Sequence, residues 1–389
     1  MTPEAYLSRA RALLPGIRER APAAERLRCL PEATFQEFQD TGLLRGLQPA
    51  RYGGYELDPG TFLQAGIEIG TVCASSAWFL TVVGVHNWQL GLFPPQAQEE
   101  VWGQDTSVQI SSALSPTGTV EPVEGGFRLH GRWSFSSGCD WCQWVVLGGV
   151  VPSTDAEAPA DVRSFLVPRS DYVIDDNWQV MGLCATGSKD IVVEEAFVPE
   201  YRTLSYLDTF YLRHPGNAVN PGPLFRLPFG IIFPYALVAP AVGVALGALA
   251  TFREATRQRI NVRDGARVAE DPFVQLRLAE AASDVAAARD SLLNGCTEMM
   301  ALARAGQPIP LEARARYRWE AAKATTRCVQ AVDLLFEASG GRAIFLDNPI
   351  QRAWRDVHAI RAHAGNNPDR AALIFGRSAL GLPPQELRF

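Results

Sequence analysis

The chain has 389 residues, long enough for two or three domains around a large core, and nearly half of them are apolar. Lysine and arginine total 36 against 42 acidic residues, a net charge of -6, and no long basic run occurs, which excludes nucleic acid as a partner. Seven cysteines, an odd number scattered along the chain, make no disulfide framework and fit a reducing compartment.

The N-terminus, "MTPEAYLSRARALLPGIRER", mixes charge with apolar residues at helical spacing and lacks the apolar core of a signal peptide, so it reads as a helix of a cytoplasmic protein. Helical periodicity continues through "EATFQEFQDTGLLRGL" and "TFLQAGIEIGTVCASSAWFLTVVGVHNWQLGLF", broken between them at Gly53-Gly54 and Pro59. Residues 1–106 are therefore expected to form a helical domain.

From Ser107 the texture changes to short runs rich in β-branched and aromatic residues, such as "VQISSALS", "GRWSFSSG", "WVVLGGVV" and "DIVVEEAFVP", separated by Gly, Pro and Asp. Residues 107–205 are expected to form a β domain. Cys139 and Cys142 make a CxxC, but no second pair or suitably spaced histidine accompanies them, and packing residues are the better reading. No metal site is expected.

An irregular connection, 206–228, leads back to helical sequence in a domain spanning 206–389. Phe229 to Thr251 carries no charge and could span a bilayer by length; its Ala, Gly and Val content, and Pro234 and Pro240 that interrupt it, favour a core helix. "DPFVQLRLAEAASDVAAARDSLL" starts a long helix at Asp271-Pro272, and another closes on Gly340-Gly341. Helices, then strands, then helices make an α+β fold, and neither a dinucleotide fingerprint nor a P-loop is present.

Several segments in order resemble the acyl-CoA dehydrogenase fold superfamily: "PARYGGYEL", "SSALSPTGTVEPVEGGFRLHGRWSFSSG", "VMGLCATGSKDIVVEEAFVP" and "FEASGGRAIFLDNPIQRAWRDVHAI". The resemblance implies an N-terminal helical domain, a central β domain and a C-terminal four-helix bundle. It also implies flavin contacts from Ser115, Phe135, Ser136, Ser137, Gly138, Thr186, Ser188 and Arg253. A neighbouring subunit of a homotetramer would add Gly340, Gly341 and Arg342. Many acyl-CoA dehydrogenases carry a proton-abstracting glutamate shortly after an Arg-Asp pair; the corresponding place here is His363-Ala364 in "AHAGNN". Without that carboxylate the chemistry is expected to differ.

"WSFSSG", "GVHNWQL" and the C-terminal "RDVHAIRAHAGNNPDR" are instead similar to the two-component flavin-dependent monooxygenases of this fold, the aromatic hydroxylases acting on 4-hydroxyphenylacetate and secosteroid phenols. That resemblance implies a separate NAD(P)H-dependent reductase supplying FADH2 or FMNH2, reaction with O2 through a C4a-hydroperoxyflavin, and hydroxylation of a small electron-rich aromatic. Ser137 would contact the flavin, His363 would sit beside the oxygen, and His86 would bind the substrate hydroxyl; histidine suits such work because its pKa lies near working pH. The rival readings are an acyl-CoA dehydrogenase holding tight FAD, an N- or S-oxygenase of the same fold, and a non-catalytic flavin-binding protein. His358, five residues before His363, is expected on a different helix face, with a structural role. His130 and His214 are expected to be solvated or structural, and Trp133, Trp141 and Trp144 to pack in the core.

Overall fold

A computed structural model describes residues 1–153, 160–262 and 264–383. Five helices come first: α1 (Pro3–Leu27), α2 (Glu32–Asp40), α3 (Pro59–Gly70), α4 (Ala74–Leu90) and α5 (Pro95–Trp102). Pro59 sits in the first turn of α3 behind Asp58, whose carboxylate accepts from the Gly60 N–H at 2.9 Å, so the residue that breaks one helical pattern opens the next. α4 is buried along its whole length.

Eight strands follow: β1 (Ile110–Ala113), β2 (Thr119–Val123), β3 (Gly126–Ser136), β4 (Trp144–Val151), β5 (Asp161–Pro168), β6 (Val173–Asp175), β7 (Lys189–Pro199) and β8 (Thr203–Ser205). They form two four-stranded sheets, ordered β1-β4-β5-β8 and β2-β3-β7-β6, with only β1 and β4 paired in parallel. Alternate residues of both sheets, Leu129, Trp133, Ile191 and Val193 on one and Val145, Leu147, Phe165 and Val167 on the other, share one buried cluster, so the sheets face each other as a sandwich. Trp133 is fully buried there and donates its indole N–H to the Gly148 carbonyl at 2.8 Å. Cys139 and Cys142 are buried and unpaired, as are Cys73, Cys296 and Cys328.

The remaining helices are α6 (Tyr206–Phe210), α7 (Phe229–Gln258), α8 (Pro272–Arg304), α9 (Leu311–Ser339), α10 (Pro349–Ala362) and α11 (Pro368–Ala379). The apolar stretch does lie inside the protein: within α7, 78% of its most apolar window is buried. Its prolines do not interrupt it. Pro234 and Pro240 lie inside one continuous helix, their lost hydrogen bonds offset by burial against α3, α4 and α9. The small residues set the α3–α7 separation, since a Cβ on Gly243 would stand 2.3 Å from the Ile67 carbonyl oxygen. One continuous core joins α1–α5 to the C-terminal helices. The sandwich packs beside it, and the seam between the two carries the site.

Candidate active site

Two adjoining cavities open at that seam. The larger, about 600 Å³, is lined by α4, the ends of β1 and β3, the 178–183 loop, α7 and α10, and the smaller, about 200 Å³, lies toward α6 and α9. Leu114, Ser115, Phe233, His363 and Ala364 line both. Among the described residues, neither lining contains an Asp or Glu.

The segment "SFSSG" shapes one wall. Ser134, Phe135 and Ser137 face the larger cavity, whereas Ser136 turns away and donates to the Ser111 hydroxyl at 3.1 Å. Phe135 has φ +69°, a left-handed conformation that a bulky residue adopts only when its surroundings impose it, and it meets Trp178 edge to face. Gly138 does not line the cavity. Its φ is +74°, and a Cβ there would collide with the Phe79 ring at 2.6 Å, so glycine is what lets the strand end turn under α4.

A chain of hydroxyls runs behind this wall. The Trp78 indole N–H donates to Ser137 Oγ at 2.9 Å, Ser137 Oγ lies 2.8 Å from Ser188 Oγ, and Ser188 Oγ lies 2.7 Å from Thr186 Oγ1. Thr186 donates its proton to the Leu183 carbonyl at 2.9 Å. Each hydroxyl has one proton, so Ser188 donates to Thr186 and Ser137 to Ser188. Ser137 is left with an accepting lone pair. Ser137 and Ser188 reach the cavity surface; Thr186 stands behind them.

His363 follows the last residue of α10, where the backbone leaves the helix with ψ 134°. The sequence after it holds it there. Its Nδ1 accepts from the Gly365 N–H at 2.9 Å, Asn366 Nδ2 donates to the Ile360 carbonyl at 2.8 Å, and Asn367 caps α11 by accepting from the Asp369 and Arg370 N–H groups. With Nδ1 accepting, the neutral ring carries its proton on Nε2, as a donor. Enclosure in the fold, and secondarily the charge of Arg318, pull its pKa down from 6.5 to about 4. What remains accessible of this half-buried ring opens onto the two cavities.

His86 is placed differently. It is fully buried and lines neither cavity. Nδ1 lies 2.7 Å from Gln89 Oε1 and Nε2 lies 2.6 Å from Ser112 Oγ, with Phe233 tilted against the ring. The amide oxygen can only accept, so Nδ1 carries the proton and Nε2 accepts from Ser112. Ser112 and Gln89 each line a cavity, which puts His86 one hydroxyl removed from the space it was expected to enter. Burial lowers its pKa to about 4, partly opposed by the Gln89 hydrogen bond.

His358 pairs with Asp333 at 3.0 Å and packs on Trp354, as a structural histidine would, yet it also lines the same cavity as His363. Arg355 and Asp356 hold the opposite loop: Arg355 donates to the Met181 carbonyl, and Asp356 accepts from the Leu183 N–H at 2.7 Å. Gly182 lies against the Arg355 carbonyl, where a Cβ would approach to 2.3 Å.

Ser115 lines both cavities. Arg253 is exposed on α7, and Gly340, Gly341 and Arg342 lie just past α9, all outside both cavities of this chain. Trp141 stacks on Phe35, Trp144 lies under Arg202, His130 holds the Glu194 carbonyl, and His214 is buried against the Phe225 carbonyl. Trp78, Trp178, Ser112 and Arg318 are among the lining residues that went unremarked in the sequence; three-dimensional convergence, rather than any one segment, brings them together.

Residues 235–368 match the family described as acyl-CoA dehydrogenase, C-terminal domain. The chain is 44% identical to the flavin-dependent monooxygenase oxygenase subunit HsaA of Rhodococcus jostii, across 97% of this chain and 98% of the relative. It is 34% identical to the oxygenase component of the FADH2-dependent resorcinol hydroxylase of a Rhizobium species, across 95% and 92%. The crystal structure of the HsaA monooxygenase from M. tuberculosis superposes with a TM-score of 0.95, at 44% identity and full coverage of both chains. The chain belongs to the oxygenase components of the flavin-dependent monooxygenases.

The oxygenase is thus one half of a system in which a separate component supplies reduced flavin, and it uses that flavin with O2 to hydroxylate an electron-rich aromatic ring. The larger cavity fits the flavin ring system: flat apolar walls from Trp78, Val82, Leu237 and Trp178, with hydroxyls from Ser137 and Ser188 on one side. The accepting lone pair of Ser137 would suit an N–H of such a ring. The missing carboxylate sets this oxygenase apart from a dehydrogenase that removes an α-proton.

The buried histidines also predict the acid response. Enclosure in the fold lowers His86 and His363 to about 4 and lowers His214 as well, so as pH falls below the ordinary 6.5 the unfolded chain binds protons that the folded one refuses. Stability therefore falls as pH falls through that window. Asp356, lifted to about 6 by burial, acts in the opposite sense below pH 6. Asp105, Asp176, Asp190 and Glu298, whose carboxyls are held below their ordinary range by hydrogen bonds or nearby cations, act in the same sense as the histidines, so thermal unfolding is expected at lower temperature at pH 4.5 than at pH 6.5; a higher midpoint at pH 4.5 would contradict the assignment of neutral histidines.

Proposed function

We propose that the smaller cavity holds a phenol whose ring reaches the shared wall at Leu114, Ser115, Phe233, His363 and Ala364, where it meets the flavin ring in the larger cavity. The observation that carries this reading is the shared wall itself: two adjoining cavities with a neutral histidine donor at their boundary and no carboxylate in either lining. Bound reduced flavin supplies the two electrons that activate O2 for transfer of one oxygen atom to the ring.

This chain's residues do the rest. Ser137 Oγ, oriented by Trp78 and Ser188, accepts an N–H of the reduced ring and keeps that proton in place. His363 Nε2–H donates to oxygen at the boundary, with Gly365 fixing the ring. Where the phenol ring passes the shared wall, Ser112 Oγ, on the larger cavity's side two residues before Leu114, accepts from the phenol hydroxyl while donating to His86 Nε2, so the imidazole draws on the phenolic proton through one intervening hydroxyl. A more electron-rich ring results. Trp78, Val82, Leu237 and Phe233 exclude water, which would otherwise release the activated oxygen as peroxide.

We place Gly340, Gly341 and Arg342 against the flavin of a neighbouring subunit in a homotetramer. Ile344, Phe345 and Leu346, 69%, 62% and 85% exposed directly after this turn, support a covered face there. The reductase partner is taken to be NAD(P)H-dependent. Seven unpaired cysteines support a cytoplasmic location.

The test is anaerobic mixing of the oxygenase with reduced FAD or FMN, followed by rapid mixing with O2. Recovery of oxidised-flavin absorbance delayed at least tenfold relative to free flavin is expected, because the closed cavity slows peroxide loss. Recovery as fast as in buffer would defeat the reading, as would a purified protein whose tightly held FAD is bleached by an acyl-CoA.

A further inference from the structure

Gln89 lies one helical turn after His86 on α4, at the end of a buried run, His86 to Gln89, in which every side chain can form hydrogen bonds. The middle two hold the helix to its neighbours. Asn87 Nδ2 donates to the Leu44 carbonyl at 2.8 Å and to Gln109 Oε1 at 2.9 Å, and the Trp88 indole N–H donates to the Leu224 carbonyl at 3.1 Å. The outer two pair with each other instead, Gln89 Oε1 lying 2.7 Å from His86 Nδ1. Gln89 is only 1% exposed and lines the smaller cavity, and its amide nitrogen has no partner among the described residues, so the bond to His86 is what orients the side chain.

That bond decides a direction. A neutral imidazole has two tautomers. With the proton on Nδ1, held by Gln89 Oε1, Nε2 accepts from Ser112 and the serine oxygen is left to accept from a phenol. With the proton on Nε2, the ring would donate to Ser112, whose own proton would then face the phenol oxygen and take nothing from it. Ser112 can serve either tautomer because a hydroxyl both donates and accepts, and Phe233, tilted against the ring, does neither. No charged group sets the pKa of His86, which burial lowers and the Gln89 bond raises. Gln89 is therefore the neighbour that tells Nδ1 from Nε2.

We propose that Gln89 is a positioning residue for hydroxylation: its amide oxygen fixes the His86 tautomer, and with it the direction in which Ser112 and His86 move the phenolic proton. The phenol proton passes to Ser112 Oγ as the serine's own proton passes to His86 Nε2. The ring then carries both N–H groups and a positive charge, balanced by the phenolate, and Nδ1–H stays on Gln89 Oε1 in a bond strengthened by that charge. This rests on the phenol hydroxylation proposed above.

Two variants of similar size separate direction from packing. Gln89→Met removes the acceptor, whereas Gln89→Glu, when ionised, can only accept. The tautomer is read by solid-state magnetic resonance on the ¹⁵N-histidine-labelled oxygenase without flavin or substrate, because protonated and bare ring nitrogens resonate far apart; the signals lost in His86→Asn identify the ring. The wild type is expected to carry the proton on Nδ1, and Gln89→Met to show both tautomers. Gln89→Met is also expected to slow hydroxylation of un-ionised phenols by roughly 3- to 10-fold, the worth of one hydrogen bond between neutral groups, with ionised phenols and KM little changed. Gln89→Glu is expected to keep Nδ1–H, to recover the rate at alkaline pH, and to move the acid limb of the pH–rate profile upward. A carboxylate beside the ring raises its affinity for a proton, and a protonated Nε2 cannot accept from Ser112. A wild-type proton on Nε2 overturns the proposal, as does a single unchanged tautomer in Gln89→Met or equal slowing of ionised and un-ionised phenols. If the wild type hydroxylates no phenol, the hydroxylase reading falls and this role with it; hydroxylation indifferent to residue 89 removes Gln89 alone.

Discussion

His363→Ala is expected to lower the hydroxylated product formed per reduced flavin by roughly 100- to 1000-fold, the range for removing one preorganised donor from a closed site, with the lost yield recovered as hydrogen peroxide. The reasoning starts from a proton position. Nδ1 is occupied by the Gly365 N–H, so the neutral ring presents Nε2–H to the boundary between the cavities. Because the pKa is held near 4, this donor is neutral across the working range, and coupling of flavin oxidation to hydroxylation is expected to be flat from pH 6 to 8. Gly365→Ala should reproduce much of the defect without touching the imidazole, since a Cβ there would stand 2.6 Å from Leu237 Cδ1 and 3.0 Å from His363 Nδ1. His363→Asn, which keeps an N–H donor, should recover part of the yield. Unchanged product yield in His363→Ala would remove this histidine from the chemistry.

Ser112→Ala is expected to slow hydroxylation of an un-ionised phenol by roughly 100-fold, the lower end of the range for a positioned proton acceptor, with KM rising much less. The hydroxyl is the link between the cavity and a histidine that does not itself reach it. A readout specific to proton withdrawal separates this from a packing effect: phenols acidic enough to enter already ionised should lose little. His86→Ala should show the same substrate dependence together with a folding defect, because it leaves the buried Ser112 and Gln89 side chains without their partner and opens a void beside Phe233. Equal slowing of ionised and un-ionised phenols would deny Ser112 and His86 this role.

Much of the architecture could be read from local pattern. The switch from 3.6-residue periodicity to short β-rich runs falls where β1 begins, and the uncharged run after Pro228 became a buried helix because its Gly and Ala content lets α3 approach it closely. Its prolines misled, since a proline's cost to a helix depends on what packs around it. The site was legible where one segment carries its own geometry. "SFSSG" holds a strand end, a left-handed Phe135 and the accepting Ser137; "HAGNN" holds an opened helix end with its cap and its histidine partner.

What could not be read is what depends on convergence. Trp78 orients Ser137 from 59 residues away, and Ser112 intercepts His86 from 26. Arg318 joins the cavity from the middle of a long amphipathic helix where an arginine attracts no notice. The Arg355-Asp356 pair shows the same limit: within this chain it clamps the 181–183 backbone that walls the larger cavity.

The measurement that bears most directly on the central claim is isotope transfer. The oxygenase is supplied with reduced FAD by a flavin reductase and given 3-(4-hydroxyphenyl)propionate under ¹⁸O2, and the product is weighed by mass spectrometry. The account predicts a ring-hydroxylated product carrying one ¹⁸O atom, formed by the wild type and suppressed in His363→Ala. Complete reoxidation of the flavin with all of the ¹⁸O recovered as peroxide, for this and a panel of other phenols, would contradict it.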